Sequence, residues 1–406
     1  MRLAVVSPFV DRRHGTERAL AELLERLARK EHCEIHLFAQ RVEDLALAPP
    51  GVTPSPDPGA IIWHKVPSIP GPHLLRFLAW LFLNSICRAW DRWGKGLRFD
   101  LVLSPGINCL SAEVVIVHAL FHRLQELARE EHLDLARPDR LRRLHRRVYY
   151  ALLAQLERRI YGDPKVSIVA VSLRTARLLD GYFHRQDVRV IPNGVDTTQF
   201  SPSARLALRA NARLRRNIQE SNFVLLLIGN DWRVKGLETV LHAMSTLREL
   251  PILLIAAGDD SSDAFREMAK SLGISELCRF EPSREDVLDF YAAADLYVSP
   301  SREDSFGLPV AEAMACGLPI VTSRQAGVAE RIRDGLDGFI LRQFDDFQGL
   351  ARMLRQLHTD ELLRTKVGDA AAKAAIQWTW DQNSAEVWEL LREVAGKKLL
   401  HPSRRP

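Results

Sequence analysis

Two polar loops in the second half of the chain carry residue types that bind a diphosphate. One loop follows the strand-like run 296–299 and leads into a helix that starts near Phe306. The free backbone N–H groups at such a helix start attract anions. The other loop follows the run 223–229 and contains Arg233 and Lys235, which are suited to clamping phosphate oxygens. The alternative for this second loop is an ordinary solvated basic turn.

Two more residues near the first of these loops suit a nucleotide. Gly307 would let a ligand approach the backbone closely. Glu312 lies about one turn into the predicted helix, where a carboxylate is a good acceptor for ribose hydroxyls. Alternatively, Glu312 is an ordinary acid that the helix dipole favours near a helix N-terminus. Parallel strands end at one edge of a sheet, so both loops are expected at the same edge.

Strand-like apolar runs alternate with helical patterns along all 406 residues. In the first half these runs cover residues 3–8, 34–39, 101–104, 114–118 and 166–172. In the second half they cover residues 223–229, 252–258, 279–281, 296–299 and 319–322. Helical patterns include residues 16–30, 203–219 and 236–247. This rhythm predicts the α/β class, with two Rossmann-like, doubly wound parallel-sheet domains facing a central cleft.

The turn signals around Pro192 and Asn193 predict the joint between the two domains. The first domain is expected to cover residues 1–195 and the second residues 196–380. A C-terminal helix at about residues 381–397 is expected to complete the first domain. Residues 398–406 are predicted to form a frayed tail.

The composition is typical of a globular protein that does not cross a membrane. The net charge is +5, with 47% hydrophobic and 26% charged residues. Five cysteines without paired spacing argue against disulfides or a zinc site and suit a reducing compartment. The N-terminal apolar run is broken at Pro8, which favours a first strand over a signal peptide. We therefore expect a cytoplasmic protein without a spanning helix.

Four segments of the second half together resemble the retaining glycosyltransferases of family four, which have the GT-B fold. They are IPNGVDTTQFSP (191–202), GNDWRVKGL (229–237), AADLYVSPSREDSFGLPVAEAMACGLPIV (293–321) and AGVAERIRDGLDGF (326–339). The first half resembles the family through SPFVDRRHGTERAL (7–20) and VVIVHALFH (114–122).

The resemblance implies roles for the acidic residues of the first loop. The family has two glutamates separated by seven residues, of which the first contacts donor-sugar hydroxyls and the second binds the ribose. The ribose role falls on Glu312. The sugar role falls on Asp304, which is one methylene shorter than glutamate, and Glu303 is the alternative acid.

The resemblance also implies a diphosphate and nucleobase site. It places Lys235 on the diphosphate beside Gly229. Arg233 would supply a second charge, because Asn230 stands where the family often has arginine. The remaining donor contacts would come from backbone N–H groups of Phe306, Gly307 and Leu308 and from a nucleobase site at Phe280 and Glu281.

In the first half the resemblance points to the loop at Gly15 and to His118. Gly15 would approach the phosphates and acceptor, and Thr16 is expected to cap the next helix. His118 would lie near the reacting sugar, although a core histidine is the alternative. His122 lies four residues on, but a metal is not expected without a third ligand.

The reaction implied is transfer of a hexose, with retention, from a UDP-sugar or GDP-sugar to a glycan or lipid-linked acceptor. It would use no metal or cofactor and no nucleic acid, and it would belong to surface-polysaccharide or lipopolysaccharide synthesis. Two alternatives stay open: a sugar-nucleotide epimerase of the same fold, and a non-catalytic sugar-nucleotide-binding partner. The acidic pair Asp259 and Asp260 resembles a metal motif of other glycosyltransferases but is interpreted as structural or donor-adjacent.

Two segments of the first half favour contact with a membrane surface. Residues 70–93 combine aromatic and basic side chains, which suits a membrane interface. Residues 137–159 hold eight arginines and could attract anionic lipid. The alternatives are core packing for the first segment and a solvated helix face for the second. The prediction is a peripheral protein on the inner face of the cytoplasmic membrane.

Overall fold

The computed structural model describes residues 1–12, 15–48, 59–130 and 140–400, of which residues 128, 130 and 140–147 are described by their backbone alone. The chain divides into two compact units. The first unit is Met1–Pro192 with Asp381–Pro406, and the second unit is Asn193–Trp380. The predicted boundary after Val195 therefore falls inside the second unit. The reason is local, because the Val195 amide donates to the Trp378 carbonyl at 2.7 Å.

The first unit contains a seven-stranded parallel sheet in the order β5-β3-β1-β6-β7-β8-β9, and a separate short pair, β2-β4. Its strands are β1 Arg2–Val6, β2 Phe9–Val10, β3 Glu34–Ala39, β4 Arg41–Val42, β5 Ile61–Lys65, β6 Leu101–Pro105, β7 Val114–Val117, β8 Ser167–Ala170 and β9 Arg189–Val190. Its first five helices are α1 Gly15–Glu31, α2 His73–Gly94, α3 Phe121–Glu130, α4 Arg140–Tyr161 and α5 Leu173–Phe183. The strands at the middle of the sheet are buried, which explains their continuous apolar runs.

The second unit contains a six-stranded parallel sheet in the order β12-β11-β10-β13-β14-β15. Its helices are α6 Pro202–Arg215, α7 Leu237–Ser245, α8 Asp263–Ser271, α9 Leu288–Ala293, α10 Leu308–Ala315, α11 Phe347–Thr359 and α12 Glu361–Ala375. Its strands are β10 Phe223–Ile228, β11 Ile252–Ala257, β12 Cys278–Glu281, β13 Leu296–Ser299, β14 Ile320–Ser323 and β15 Phe339–Leu341. Two such sheets with helices between their strands confirm the predicted fold class.

The last helix, α13, covers Trp380–Leu400 and returns the chain to the first unit. The prediction of a frayed tail from residue 398 is wrong for the part that the structure describes. Lys398 donates to the Asp100 carbonyl at 2.7 Å and to the Glu113 carboxylate at 2.8 Å, so side-chain contacts hold the end of the helix. Residues 401–406 lie outside the described residues.

None of the helices in the described ranges combines the length and the apolarity that crossing a bilayer requires.

Candidate functional site

The two predicted loops meet through a salt bridge at the carboxyl edge of the second sheet. The strands that precede them, β10 and β13, are neighbours in this sheet. Across the two loops, Lys235 Nζ lies 2.6 Å from Asp304 Oδ2. The side chains of these two residues are only 18% and 14% exposed. The structure therefore brings together the predicted phosphate lysine and the predicted sugar-binding acid.

Two glycines shape the loop that carries Lys235. Gly236 has φ +82°, and a Cβ there would lie 2.1 Å from the Pro300 carbonyl oxygen. Gly229 has φ +142°, and a Cβ there would meet Lys235 Cε at 3.1 Å. Only glycine fits both positions without strain, because φ is positive at both, and at Gly236 the Pro300 carbonyl also leaves no room for a Cβ. The lysine side chain consequently lies across the Gly229 backbone.

The loop that carries Asp304 is fixed by its own backbone. The Asp304 amide donates to the Gln325 carbonyl at 3.2 Å, and the Gly327 amide donates to the Asp304 carbonyl at 2.9 Å. Beneath it, the Tyr297 hydroxyl donates to the Ile228 carbonyl at 3.3 Å. Burial, together with the charge of Asp304, raises the pKa of Tyr297, which therefore stays a neutral donor. The carboxylate of Asp304 is thus carried on a rigid segment.

Helix α10 begins directly after this loop and has no side-chain cap. Gly307 occupies its N-cap position in the left-handed conformation with φ +97°, and Pro309 lies in the first turn. An uncapped helix start exposes backbone N–H groups that can bind an anion. The predicted phosphate-binding amides of Phe306, Gly307 and Leu308 belong to this segment. The Phe306 amide also contacts Asp304 Oδ1 at 3.4 Å.

The sequence left open whether Glu303 or Asp304 faces the donor. Glu303 is buried with 9% of its surface exposed, whereas Asp304 reaches Lys235. Of the two acids, Asp304 is therefore the one that contacts the predicted phosphate lysine.

Glu312 is buried in α10 beneath the helix start, and a tyrosine holds it. The hydroxyl of Tyr291, on α9, lies 2.8 Å from Glu312 Oε2 and 3.2 Å from the Pro309 carbonyl oxygen. Tyr291 is itself fully buried. Sequence reasoning missed Tyr291, because nothing in its spacing distinguishes it from an ordinary core aromatic.

Arg233 is paired inside its own loop. Its guanidinium Nε lies 3.2 Å from the Glu238 carboxylate in the first turn of α7. The structure therefore brings Lys235 to Asp304 but pairs Arg233 with a different acid.

The predicted nucleobase residues both contact other side chains of the second unit. The ring of Phe280 lies 5.6 Å from that of Trp232, and the Arg266 guanidinium carbon lies 5.1 Å from the centre of the Phe280 ring. Glu281 accepts hydrogen bonds from Arg216 Nε at 3.0 and 3.3 Å. Both residues belong to β12, at the edge of the sheet.

The acidic pair Asp259 and Asp260 connects loops at the carboxyl edge of this sheet. Asp260 accepts the Trp232 amide at 2.7 Å, and the Asp259 amide donates to Asn230 at 2.9 Å. The Ser283 hydroxyl donates to Asp259 at 2.6 Å. The two carboxylates accept hydrogen bonds from neighbouring backbone and hydroxyl groups. This is a structural role, which is one of the two roles that the sequence left open for them.

The first unit has a cavity of about 300 Å³ at the ends of β1 and β7. Its walls combine aromatic and aliphatic side chains with a few polar ones. The lining residues are Pro8, Phe9, Thr16, Gln40, His73, Arg76, Phe77, Trp80, Pro105, Gly106, Ile107, Asn108, His118, Ala119, Phe121, Tyr149 and Leu153. The structure thus brings together His118 and Thr16, two residues that were predicted as parts of the site.

The structure changes the expected role of Thr16 and gives His122 a partner. Helix α1 already includes Gly15, so Thr16 lies inside the helix and is not its cap. Thr16 instead lines the cavity. His122 lies 2.5 Å from Glu157 through Nδ1, so its partner is a carboxylate. Among the described residues, no group of three or more histidine, cysteine or acidic side chains is placed to hold a metal.

Curated relatives of this chain are glycosyltransferases. The D-inositol 3-phosphate glycosyltransferase of Corynebacterium urealyticum is 31% identical over 251 residues, and the match spans 59% of this chain and 59% of that protein. The D-inositol 3-phosphate glycosyltransferase of Streptomyces scabiei is 27% identical over 404 residues, which spans 91% of this chain and 84% of that protein.

Solved structures show the same fold. WaaG, a glycosyltransferase involved in lipopolysaccharide biosynthesis, has a TM-score of 0.74 at 21% identity, covering 96% of this chain and 99% of its own. Anabaena HepE in complex with UDP-glucose has a TM-score of 0.70 at 17% identity, covering 97% and 100%. At these identities the likeness shows the GT-B fold alone.

Family models match both halves of the chain. Residues 13–199 match the model described as Glycosyltransferase Family 4, and residues 209–374 match the one described as Glycosyl transferases group 1. These two matches, which together span most of the chain, show that it belongs to the group 1 glycosyltransferases of family 4.

Proposed function

We propose that this chain transfers a hexose from a nucleotide-diphosphate sugar to an acceptor, with retention of the anomeric configuration. The observation that carries the proposal is the Lys235–Asp304 pair beside the uncapped start of α10. A UDP-sugar is the favoured donor and a GDP-sugar the alternative. HepE, a neighbour with the same fold, was solved with UDP-glucose, which supports this order.

The proposed chemistry rests on charge compensation at the leaving diphosphate. Negative charge builds on that group as the sugar–phosphate bond breaks. The Lys235 ammonium has three N–H donors, and Asp304 accepts one, which leaves two for phosphate oxygens. The amides at the start of α10 would add further donors. We therefore assign this compensation to protein groups and propose a reaction without a metal ion.

The remaining contacts with the nucleotide sugar would lie at the same edge of the sheet. Asp304 would accept hydroxyls of the sugar, Glu312 would accept those of the ribose, and the nucleobase would lie near Phe280 and Glu281. Arg233 would have to exchange Glu238 for a phosphate oxygen to join Lys235. The side chain of Lys235 already lies against Gly229, so that glycine would remain part of the phosphate site.

The acceptor would bind in the cavity of the first unit. His118 and Thr16 reach this cavity, and Arg76 supplies a cation there. Aromatic walls with a few polar groups suit a sugar or polyol ring. Arg76 would attract an anionic group attached to that ring. The names of the curated relatives specify a phosphorylated polyol acceptor, which supports such a head group for a glycan or lipid-linked acceptor.

Helix α2, which forms one wall of this cavity, also supports membrane contact. Trp80 is buried with 2% exposed, whereas Phe82, Trp90 and Trp93 are 66%, 71% and 83% exposed. The two alternatives for this segment therefore apply to different faces of one helix. We propose that the exposed face rests on the anionic inner face of the cytoplasmic membrane. Much of the arginine-rich segment 137–159 lies outside the described side chains, and its Arg158 and Arg159 are exposed.

Incubation with labelled donors tests the proposal. The full-length chain is given UDP-glucose or GDP-mannose labelled in the sugar, with inositol phosphate or a membrane lipid extract as acceptor. Transfer of label to an acceptor is the expected result. Lys235→Ala should reduce it roughly 100-fold or more, while Lys270→Ala, which removes an exposed lysine of the same unit, should not. Label converted to a new sugar nucleotide without acceptor would favour an epimerase instead, and binding without turnover would favour a non-catalytic partner.

A further inference from the structure

The buried carboxylate of Glu157 holds the start of helix α3 from a distant helix. Glu157 lies on α4 and is 0% exposed. Its Oε1 accepts the Phe121 amide at 2.6 Å, and its Oε2 accepts the His122 amide at 2.9 Å. These amides belong to the first turn of α3, where backbone donors have no partner inside the helix.

Helix α3 needs this help because its own cap position cannot supply it. The Leu124 amide donates to the Leu120 carbonyl at 3.0 Å, which makes Leu120 the N-cap residue just before the helix begins at Phe121. An N-cap residue normally offers a side-chain oxygen to these amides, and leucine has none. Glu157, 36 residues beyond Phe121 along the chain, supplies the oxygen and places its negative charge at the positive end of the helix dipole.

The side chain of His122 makes a third contact with Glu157. His122 Nδ1 lies 2.5 Å from Glu157 Oε2. Burial raises the pKa of Glu157, and the bonds from His122 and the two amides act in the opposite direction without cancelling that rise. A glutamine here would keep the shape but lose one of the two acceptor oxygens, so one amide would face an NH₂ group.

The segment that Glu157 fixes carries the cavity histidine. Strand β7 ends at Val117 and lies inside the sheet between β6 and β8. Leu120 is the N-cap residue of α3. His118 and Ala119 are the only residues between these two anchors, and both line the cavity. The sheet sets one end of this short connection, and Glu157 sets the other.

We propose that Glu157 is a positioning residue for the transfer reaction, which holds His118 at the acceptor cavity by capping α3 from α4. This inference rests on the proposed function. Glu157 touches neither donor nor acceptor, so its loss should lower turnover and leave donor binding to the second unit unchanged.

The test compares Glu157→Gln with Glu126→Gln, which alters a glutamate on α3 that accepts the Tyr182 hydroxyl. We expect Glu157→Gln to lower kcat at least tenfold, with the affinity for UDP within twofold of the parent. Glu157→Asp, which keeps the charge on a shorter stem, should recover part of kcat. Glu126→Gln should stay within twofold in both. An unchanged kcat in Glu157→Gln, or an equal loss of UDP affinity, would overturn the proposal.

Hydrogen exchange gives a readout that needs no activity. In the parent protein, the Phe121 and His122 amides should be protected, although first-turn amides of an uncapped helix exchange fast. Glu157→Gln should lose at least tenfold of that protection, whereas Glu126→Gln should keep it. Fast exchange of both amides in the parent would refute the cap even if no variant folds. A parent without transfer but with these amides protected would refute the proposed function and leave the cap standing.

Discussion

The ammonium of Lys235 and the carboxylate of Asp304 lie 2.6 Å apart on loops that follow neighbouring strands. Asp304 therefore orients the lysine and also competes with a diphosphate for it. Removing Lys235 and removing Asp304 should therefore have different effects on donor binding and transfer.

Lys235→Ala should reduce transfer roughly 100-fold or more, the scale of one lost electrostatic contact to a developing charge. Asp304→Asn should also reduce transfer, because the hydroxyls of the donor sugar lose a hydrogen-bond acceptor. Its affinity for UDP, which has no sugar, should rise roughly fivefold, since the lysine no longer shares its charge with a carboxylate. Steady-state kinetics and UDP calorimetry measure both. Weaker UDP binding in Asp304→Asn would contradict the competition.

Glu312 should discriminate the ribose. The parent is expected to bind UDP more tightly than its 2′- and 3′-deoxyribose analogues, and Glu312→Gln should lose most of that preference. Tyr291→Phe should lose part of it and cost about 1–2 kcal/mol of unfolding free energy, because the buried carboxylate loses a donor. Competition binding and denaturant unfolding measure these effects. An equal preference in parent and Glu312→Gln would remove Glu312 from the ribose site.

The exposed face of α2 should mediate binding to anionic vesicles. Phe82→Ser with Trp90→Ser should weaken co-sedimentation with such vesicles at least fivefold, since each buried aromatic adds roughly 1–2 kcal/mol. The matched control is Leu362→Ser, which removes an 84% exposed apolar side chain from the second unit. Binding of the parent should fall as salt rises. A parent that ignores anionic vesicles at low salt would refute the membrane proposal.

Asp289 should give the second unit an acid-sensitive stability. Burial raises the pKa of Asp289, but the bonds from Arg216, at 2.6 Å, and from Arg215 lower it by more. The pKa in the folded protein therefore lies below the usual 3.8. At pH values near the usual pKa and below it, the unfolded chain therefore binds more protons than the folded protein. The contribution is present above the unfolded pKa and is lost as pH falls through the folded pKa.

Asp289→Asn should therefore cost roughly 1–3 kcal/mol at neutral pH, because the buried Arg216 loses one of the two acids that pair with it. Its stability should also fall less steeply below about pH 4 than that of the parent. Denaturant unfolding across this range measures both slopes. Asp345→Asn, at an exposed site of the same unit, should change neither. A parallel acid limb in Asp289→Asn and parent would contradict the assignment.

Gly236→Ala should destabilise the second unit strongly. Its φ is +82°, and the new Cβ would lie 2.1 Å from the Pro300 carbonyl oxygen, so the loop must move. We expect a cost of at least about 2 kcal/mol and a loss of UDP affinity. Gly181→Ala provides the contrast, because that helical glycine has open space at its Cβ and should gain up to about 1 kcal/mol. Thermal unfolding with and without UDP measures the difference.

Much of the fold could be predicted because buried parallel strands have continuous apolar runs. Three of the four edge strands of the two large sheets were missed, namely β5, β9 and β15, since their short or mixed sequences look like loops. The loops that carry Lys235 and Asp304 could be placed at one sheet edge from their position after strands. The salt bridge between these residues could not, because it depends on side-chain direction. The bonds of Tyr291 and Glu157 join helices far apart in sequence, which periodicity does not reveal.

The first unit combines residues up to Pro192 with the segment from Asp381 onward, and α13 carries Asp381, which lies 2.6 Å from Lys30 on α1. During synthesis, the second unit therefore leaves the ribosome before the segment that completes the first. The second unit has all of its residues as soon as Trp380 emerges. The first unit lacks Asp381, and with it this contact to Lys30, until the whole second unit has been made, so the part of the protein that is begun first is the part that is completed last.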